Sequence, residues 1–157
     1  MKQLTLCTTV FFIVIAATST RNLVREVLAL MQRQIRDVLK NKKIYDAESQ
    51  FLHSRIVDCK TNFTIAQKKR MLFLDEQLTC IQTWLALLTE DEAYVVTRHI
   101  IDGVDIPRIT LEYQKRWGDE YTKTERTIKT YQRKALAKIE KFEQIKQMWN
   151  NADKPTS

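Results

Sequence analysis

Four hydrogen-bonding side chains occur at helical spacing in the C-terminal quarter of the sequence. Arg126, Lys129, Thr130 and Arg133 stand at positions i, i+3, i+4 and i+7. Because an α-helix advances by about 100° per residue, these four share one face of a predicted helix. The opposite face is apolar and comprises Ile128, Tyr131, Ala135, Ile139 and Phe142. One face is therefore predicted to pack on protein, and the other offers charged donors to an elongated or anionic partner.

The positive charge of the chain is concentrated at the same end. The formal net charge of the 157 residues is +7. From Tyr121 onward nine Lys and Arg residues are opposed by four Asp and Glu residues, a local excess of +5. Such an excess favours an anionic partner, either a nucleic acid or an acidic membrane surface. A basic face that only contacts solvent is the alternative.

Clear helix signals precede the basic helix. Thr89 and Glu92 form the pattern of a capping box, in which each side chain accepts a hydrogen bond from the backbone amide of the other residue. A helix is predicted from there to about Ile101, with Val95, Val96 and Ile100 on its apolar side. Gly103 then supplies the left-handed conformation in which helices commonly end.

A second helix is predicted from a cap at Asp105 to a stop at Gly118. Pro107 falls in its first turn, where the missing amide loses no hydrogen bond. Its apolar positions, expected in the core, are Ile109, Tyr113 and Trp117. The basic helix follows, capped by either Thr122 or Thr124. The predicted order is helix, glycine turn, helix, loop and basic amphipathic helix.

The composition predicts an all-α fold. Two Gly and two Pro leave little material for tight turns, and the apolar and charged fractions, 44% and 29%, are those of a globular protein. Helices are predicted over residues 21–40, from a cap at Asp46 to about Lys60 after a polar break at 41–43, and from Thr64 to Leu88, with a break near Asp75 as an alternative. Their expected core positions are Leu23, Val27, Leu30, Met31, Val38, Leu39, Phe51, Leu52, Ile56, Cys59, Leu74, Leu78, Ile81, Trp84, Leu85 and Leu88.

Residues 1–20 contain an apolar run from about Leu4 to Ala17, preceded by a single Lys. The run has the outline of a secretory signal peptide and is shorter than the roughly 20 residues of a spanning helix. Three interpretations stay open: a targeting or anchoring segment, a buried element packed on the protein, or an artefactual start of translation assigned upstream of the true one. In an anchored chain, Arg21 and Arg25 would hold the rest of the protein inside.

Neither catalysis nor metal binding is indicated. Cys7, Cys59 and Cys80 are widely separated and form no CxxC pair, which predicts reduced thiols without a disulfide or a zinc site. His53 and His99 lack neighbouring ligand residues. The sequence has no glycine-rich phosphate loop and no recognisable catalytic carboxylate pair. We therefore predict a protein that is not an enzyme and that uses no metal and no cofactor.

The segment "LTEDEAYVVTRHIIDGVDIPRI" resembles the first part of region four of bacterial sigma factors. The matching positions are Leu88, Glu90, Glu92, Val95, Val96, Gly103 and Ile109, with Asp105 where the family has a capping Ser. The segment "TERTIKTYQRKALAKI" is similar to the third helix of that module. It also resembles the last helix of ArpU/RinA-type phage late-gene transcription activators, through residues 124–127 and 134–136. The connection between the second and third helices, "GDEYTKT", is longer than the one in the sigma-factor family. Thr110 occupies a position where that family usually has a small Ala.

The resemblance covers about Leu88 to Phe142 and implies a helix-turn-helix DNA-binding domain over residues 88–146. In such a domain the third helix enters the major groove of double-stranded DNA. The base-contacting residues are then Arg126, Lys129, Thr130 and Arg133. Phosphate-contacting and helix-start residues are Arg108, Lys115, Arg116, Lys123, Thr124 and Thr127.

The expected function is sequence-specific regulation of phage or prophage transcription, of the late-gene activator type, in the cytoplasm. Residues 21–87 would form a helical dimerisation or RNA polymerase-contacting region, and residues 147–157 a flexible tail. Expected partners are double-stranded DNA, RNA polymerase and a second copy of the chain. One alternative is a membrane-associated helical interaction protein, anchored at the inner face of the membrane by residues 4–17. The other is a DNA-binding packaging or replication adaptor.

Overall fold

The protein is helical throughout the ranges that the structure describes. A computed structural model describes residues 4–59, 64–118 and 123–152, with side chains for 22–55, 64–118 and 123–151. No strand occurs in these ranges, so the predicted all-α fold is confirmed. The elements are α1 (Leu4–Lys40), α2 (Lys42–Cys59), α3 (Ile65–Ala86), α4 (Glu90–Val96), a π-helical segment (Thr97–Ile101), α5 (Ile106–Trp117) and α6 (Glu125–Ala152).

Two compact units divide the chain, residues 1–34 and residues 35–157. The first contains only the N-terminal part of α1, which begins at Leu4 rather than near residue 21. Leu23, Val27 and Leu30, predicted as core, are exposed by 61%, 55% and 56%. That prediction was wrong, because the described residues of this unit form one helix, with no second element within the unit to bury its apolar side. No helix in the described ranges is both long enough and apolar enough to cross a membrane.

In the second unit, the end of α1 and the start of α2 are separated by a single turn residue, Asn41. The predicted break at 41–43 is therefore shorter, and Asp46 is not a cap. It lies within α2 and accepts a hydrogen bond from Lys42 Nζ at 2.6 Å. Leu39 and Leu52 are buried as predicted. Phe51 is 59% exposed instead, because adjacent helical residues point about 100° apart and only one faces the core.

Helix α3 packs against α2 and begins with a capping box at Thr64. It runs through Asp75 without a break and ends at Ala86, close to the predicted Leu88. The predicted core positions Leu74, Ile81 and Trp84 are buried, and Leu78, Leu85 and Leu88 are half-buried. Predicted burial of Ile56 and Cys59 lies outside the described side chains.

We call α4 with its π-helical continuation, α5 and α6 the three-helix module. Both α4 and α5 pack against α6, and α5 also meets the π-helical segment. The shared core of the module consists of Val95, Ile106, Ile109, Tyr113 and Ile128. These residues come from all three helices, so the module buries one apolar cluster at its centre.

The helix ends of the module follow the local signals in the sequence. The Thr89 capping box is present, and Gly103 has a positive φ of 73°. Helix α5 ends at Gly118, with a φ of 90°. Asp105 occupies the N-cap position of α5, but its side chain makes no capping hydrogen bond. The π-helical geometry of Thr97–Ile101 was not predicted.

Candidate nucleic-acid interface

The four side chains found at helical spacing lie together on α6. Arg126, Lys129, Thr130 and Arg133 line an open groove with Glu125. We call these five residues the reading face. The three cations are exposed and Thr130 is half-buried. Its hydroxyl donates to the Arg126 carbonyl at 2.8 Å, which leaves the oxygen lone pairs as acceptors.

The face of α6 opposite the reading face is buried. Ile128, Ala135 and Ile139 are each 0% exposed, as predicted from the apolar stripe. Tyr131 and Phe142 are half-buried at its edges. The core therefore fixes the rotation of α6 about its own axis and leaves the reading face outward.

Few protein groups neutralise the reading face. Lys129 Nζ lies 3.6 Å from Glu125 Oε2, an exposed i,i+4 pair that contributes little in water. Arg126 and Arg133 make no ion pair with any residue in the described ranges. With no carboxylate partner among the described residues, both guanidinium groups can donate to another molecule. Glu125 was not among the predicted site residues, which were Lys, Arg and Thr residues able to donate hydrogen bonds to an anionic partner.

The start of α6 uses two of the predicted contact residues for its own structure. Thr124 Oγ1 accepts a hydrogen bond from the Thr127 amide at 3.3 Å, so Thr124 caps the helix. The two hydroxyls also lie 3.1 Å apart. Lys123 is half-buried beside them. The alternative cap, Thr122, lies outside the described residues.

The predicted phosphate contacts on α5 have more protein partners than those on α6. Arg108 Nε lies 3.3 Å from Glu112 Oε1. The Arg116 guanidinium stacks on the Tyr94 and Trp117 rings, at 5.0 and 4.7 Å from the ring centroids. Lys115 is exposed and makes no ion pair with a described residue. The structure therefore brings the α6 residues together, whereas Arg108 and Arg116 on α5 are engaged by other protein groups.

An arginine on the π-helical segment holds the turn between α4 and α5. Arg98 reaches Asp102 at 2.7 Å and Glu112 at 2.8 Å, and Lys43 reaches Asp102 at 2.8 Å. The hydrogen bond from Arg98 keeps the pKa of the Glu112 carboxyl below its usual value. The pKa of the Asp102 carboxyl is lowered as well, mainly by the hydrogen bond from Lys43 and further by the one from Arg98. Together these two hydrogen bonds outweigh burial, which raises the pKa. These charges fix the geometry of the turn.

A buried carboxylate joins the start of α4 to α6. Glu92 is 4% exposed and accepts hydrogen bonds from the Thr89 amide at 3.1 Å and from Lys138 Nζ at 2.7 Å. Burial raises the pKa of Glu92, but the hydrogen bonds from Lys138 and Thr89 bring it below its usual value. The capping role was predicted from the sequence, whereas the bond to Lys138 was not, because 46 residues separate the two.

Three aromatic rings close one side of the module core. Tyr113 stacks on Trp117 with ring centroids 4.1 Å apart, and Tyr94 meets Trp117 edge-on at 5.0 Å. The Tyr113 hydroxyl donates to the Asp91 carboxylate. Burial, with that carboxylate, raises the pKa of Tyr113 above its usual value. Tyr113 is buried and Trp117 half-buried, in agreement with the predicted core role.

The sequence matches no protein-family model, and neither a curated protein nor a solved structure is significantly similar to it. The likeness to sigma region four and to ArpU/RinA-type activators therefore stays a prediction.

Proposed function

We propose that this protein is a sequence-specific DNA-binding regulator of transcription, of the phage late-gene type, that inserts α6 into the major groove. One observation supports the proposal above all: Arg126, Lys129 and Arg133 are exposed on one face of a helix whose opposite face is buried in the module core. The protein would act by binding rather than by catalysis, in the cytoplasm where its DNA lies.

The dimensions of α6 suit this role. An α-helix is about 10–12 Å across, and the B-DNA major groove is about 12 Å wide. From Arg126 to Arg133 the helix rises by about 10 Å, which matches roughly three base-pair steps. The reading face would therefore contact a short run of base edges from the N-terminal half of the helix, as recognition helices do.

Each side chain has a suitable acceptor or contact in the groove. Arg126 and Lys129 would donate to guanine O6 and N7, where a good bidentate pair discriminates by about 1–3 kcal/mol. Thr130 would meet a thymine methyl, and Arg133 a guanine or a phosphate further along. Contacts from Lys115 and Lys123 to phosphates would set the register of the helix without reading sequence.

The rest of the module would act as the helix-turn-helix scaffold. Helices α4 and α5, joined at Gly103, support α6 from behind through the shared apolar core. This order of helices is the one that the sigma region-four resemblance implies. RNA polymerase is the expected protein partner of such a regulator at a promoter.

The test is selection of bound duplexes from a random-sequence library, followed by footprinting on the selected site. Arg126→Ala and Arg133→Ala should each weaken binding by about 5- to 150-fold, the equivalent of 1–3 kcal/mol. Lys69→Ala is the matched control, because Lys69 is exposed on α3 and is not part of the reading face. Its affinity should stay within about twofold of the unaltered protein.

Two outcomes would contradict the proposal. Equal and small losses in all three variants would mean that the reading face makes no specific contact. Sedimentation with acidic lipid vesicles, with no shift of any duplex, would instead support the membrane-associated alternative.

A further inference from the structure

The C-terminal part of α6 extends beyond the body of its own unit. Every described side chain from Ile145 to Asn151 is exposed. Three of them are large and apolar: Ile145 is exposed by 45%, Met148 by 71% and Trp149 by 70%. A helix end of about two turns gains little stability from its own hydrogen bonds. Clustered apolar side chains on such an extension mark an interaction site.

An open groove lies beside this extension, between α3 and α6. Its volume is about 610 Å³, and its lining includes Glu76, Cys80, Phe142 and Lys146. Trp84 Nε1 on α3 donates to Glu143 Oε1 on α6 at 2.7 Å. Glu76, which precedes Trp84 on α3, shares the groove with Lys146, which follows Glu143 on α6. The two helices therefore run antiparallel. Half-buried Phe142 and Cys80 give the groove an apolar floor.

Two acids and Lys146 line the groove, and the basic side chains beside the extension have the opposite charge to those acids. On α3, the exposed acids Asp75 and Glu76 line the groove and make no ion pair with a described residue. On α6, exposed Lys141 and Lys146 flank the apolar stripe of the extension and likewise lack an ion-pair partner in the described ranges. One chain thus presents both an acidic, apolar-floored groove and a basic, apolar helix end.

We propose that a second copy of this chain docks here, with the two α6 ends exchanged across a two-fold axis. Each copy places Met148 and Trp149 in the groove of the other, and Lys141 and Lys146 of one copy face Asp75 and Glu76 of the other. Such an interface is isologous, because the same surface occurs on both partners. A heterologous arrangement would leave one groove and one extension uncovered.

The dimer goes beyond DNA binding and is tested without DNA. If the proposed function also holds, a two-fold dimer presents two reading faces and selects an inverted repeat. If the selected DNA sites contain no inverted repeat, the two-fold arrangement on DNA is refuted. If the chain does not self-associate in the absence of DNA, the dimer itself is refuted.

The first test is sedimentation velocity of the full chain over a range of concentrations. The unaltered protein should show a concentration-dependent shift from monomer to dimer, and Trp149→Ala should weaken that association at least tenfold. Leu111→Ala is the matched control, because Leu111 is 62% exposed on α5, outside the groove. Far-UV circular dichroism establishes that each variant keeps its helices.

The second test mixes two charge-reversed copies. One carries Asp75→Lys and Glu76→Lys, and the other carries Lys141→Glu and Lys146→Glu. Each alone faces like charges across the interface and should remain monomeric, whereas an equimolar mixture should regain the dimer. The proposal is overturned if the unaltered chain is monomeric throughout, if Trp149→Ala associates as the unaltered chain does, or if mixing restores nothing.

Discussion

Replacing Lys138 by methionine tests how α6 is held against the rest of the module. The Lys138 ammonium donates to Glu92 Oε2 at 2.7 Å, and the Glu92 side chain is 5% exposed while that of Lys138 is 45% exposed. Methionine keeps most of the aliphatic stem and removes the charge. The substitution leaves a carboxylate buried without its cation, while the Thr89 amide still donates to it.

The expected loss of stability follows from the difference in exposure between the Lys138 and Glu92 side chains. Breaking a fully buried ion pair by removing one partner costs about 3–5 kcal/mol. Water reaches the Lys138 side of this pair and screens it, so the expected decrease in the free energy of unfolding is about 1.5–2 kcal/mol. Glu92→Gln keeps the capping oxygen and loses the charge, which should cost about 1 kcal/mol. In the Glu92→Gln background, Lys138→Met should add less than about 0.5 kcal/mol, because no buried charge remains.

Urea unfolding at pH 7, followed by far-UV circular dichroism, measures all four members of this double-mutant cycle. The coupling energy between Glu92 and Lys138 should be about 1–2 kcal/mol. Lys134→Met is the matched control, because Lys134 is an exposed lysine of the same helix with no ion-pair partner in the described ranges, outside the proposed dimer interface. A coupling energy near zero, or an equal loss in the Lys134 control, would refute the bracing role of the pair.

Three further predictions concern the same module. Ile128→Ala should lower the free energy of unfolding in urea by about 2–4 kcal/mol, because Ile128 is 0% exposed in the core; a loss below about 1 kcal/mol would contradict that burial. Gly103→Ala should lower the free energy of unfolding by about 1 kcal/mol and therefore lower the Tm. The φ of Gly103 is 73°, and the space around it is open, so backbone strain is the only expected penalty. An unchanged Tm would contradict the left-handed turn. Glu92, Asp102 and Glu112 have lowered pKa values in the folded state, so their contribution is complete above the unfolded pKa of about 4 and is lost as pH falls through the folded values. Urea midpoints should therefore be level from about pH 7 to 5 and fall below about pH 4, and midpoints that rise on acidification would contradict the assigned hydrogen bonds.

Local signals in the sequence predicted most helix ends, because the atoms that form them are close in the chain. The Thr89 capping box closes within three residues. Gly103 and Gly118 end helices because a positive φ is costly for other residues. Asp46 shows the limit of such signals. Its carboxylate is equally able to pair with Lys42 one turn earlier, and the chain continues as helix.

Burial was harder to predict, since an apolar stripe does not say whether a second element covers it. Ile128 is covered by residues of α4 and α5, and Ile128, Ala135 and Ile139 were all correctly assigned to the core. Leu23 and Val27 form an equally regular stripe and are exposed. The difference lies in the neighbouring elements, which periodicity within one helix cannot reveal.

Long-range charge pairs escaped prediction entirely, because their partners are far apart in sequence. Lys43 and Asp102 are joined by an ion pair at 2.8 Å, although 59 positions separate them in the chain. Arg98 and Glu112 come together only because the chain reverses at Gly103. The π-helical segment belongs to the same group, since no local residue preference marks it.

The distribution of these pairs bears directly on the proposed function. Arg98, Arg108 and Arg116 each meet an acid, and Lys138 meets Glu92, so most cations around α4 and α5 are neutralised within the protein. Arg126 and Arg133 are exceptions among the described residues, although acids are available on α6 itself. Their position opposite the buried stripe holds both guanidinium groups outward on a braced helix, and within the described ranges neither forms an ion pair with Glu125, the acid that shares their face. Positive charge that the fold holds in place and leaves unpaired favours an anionic partner, and the helical spacing of the two arginines matches the groove of a duplex.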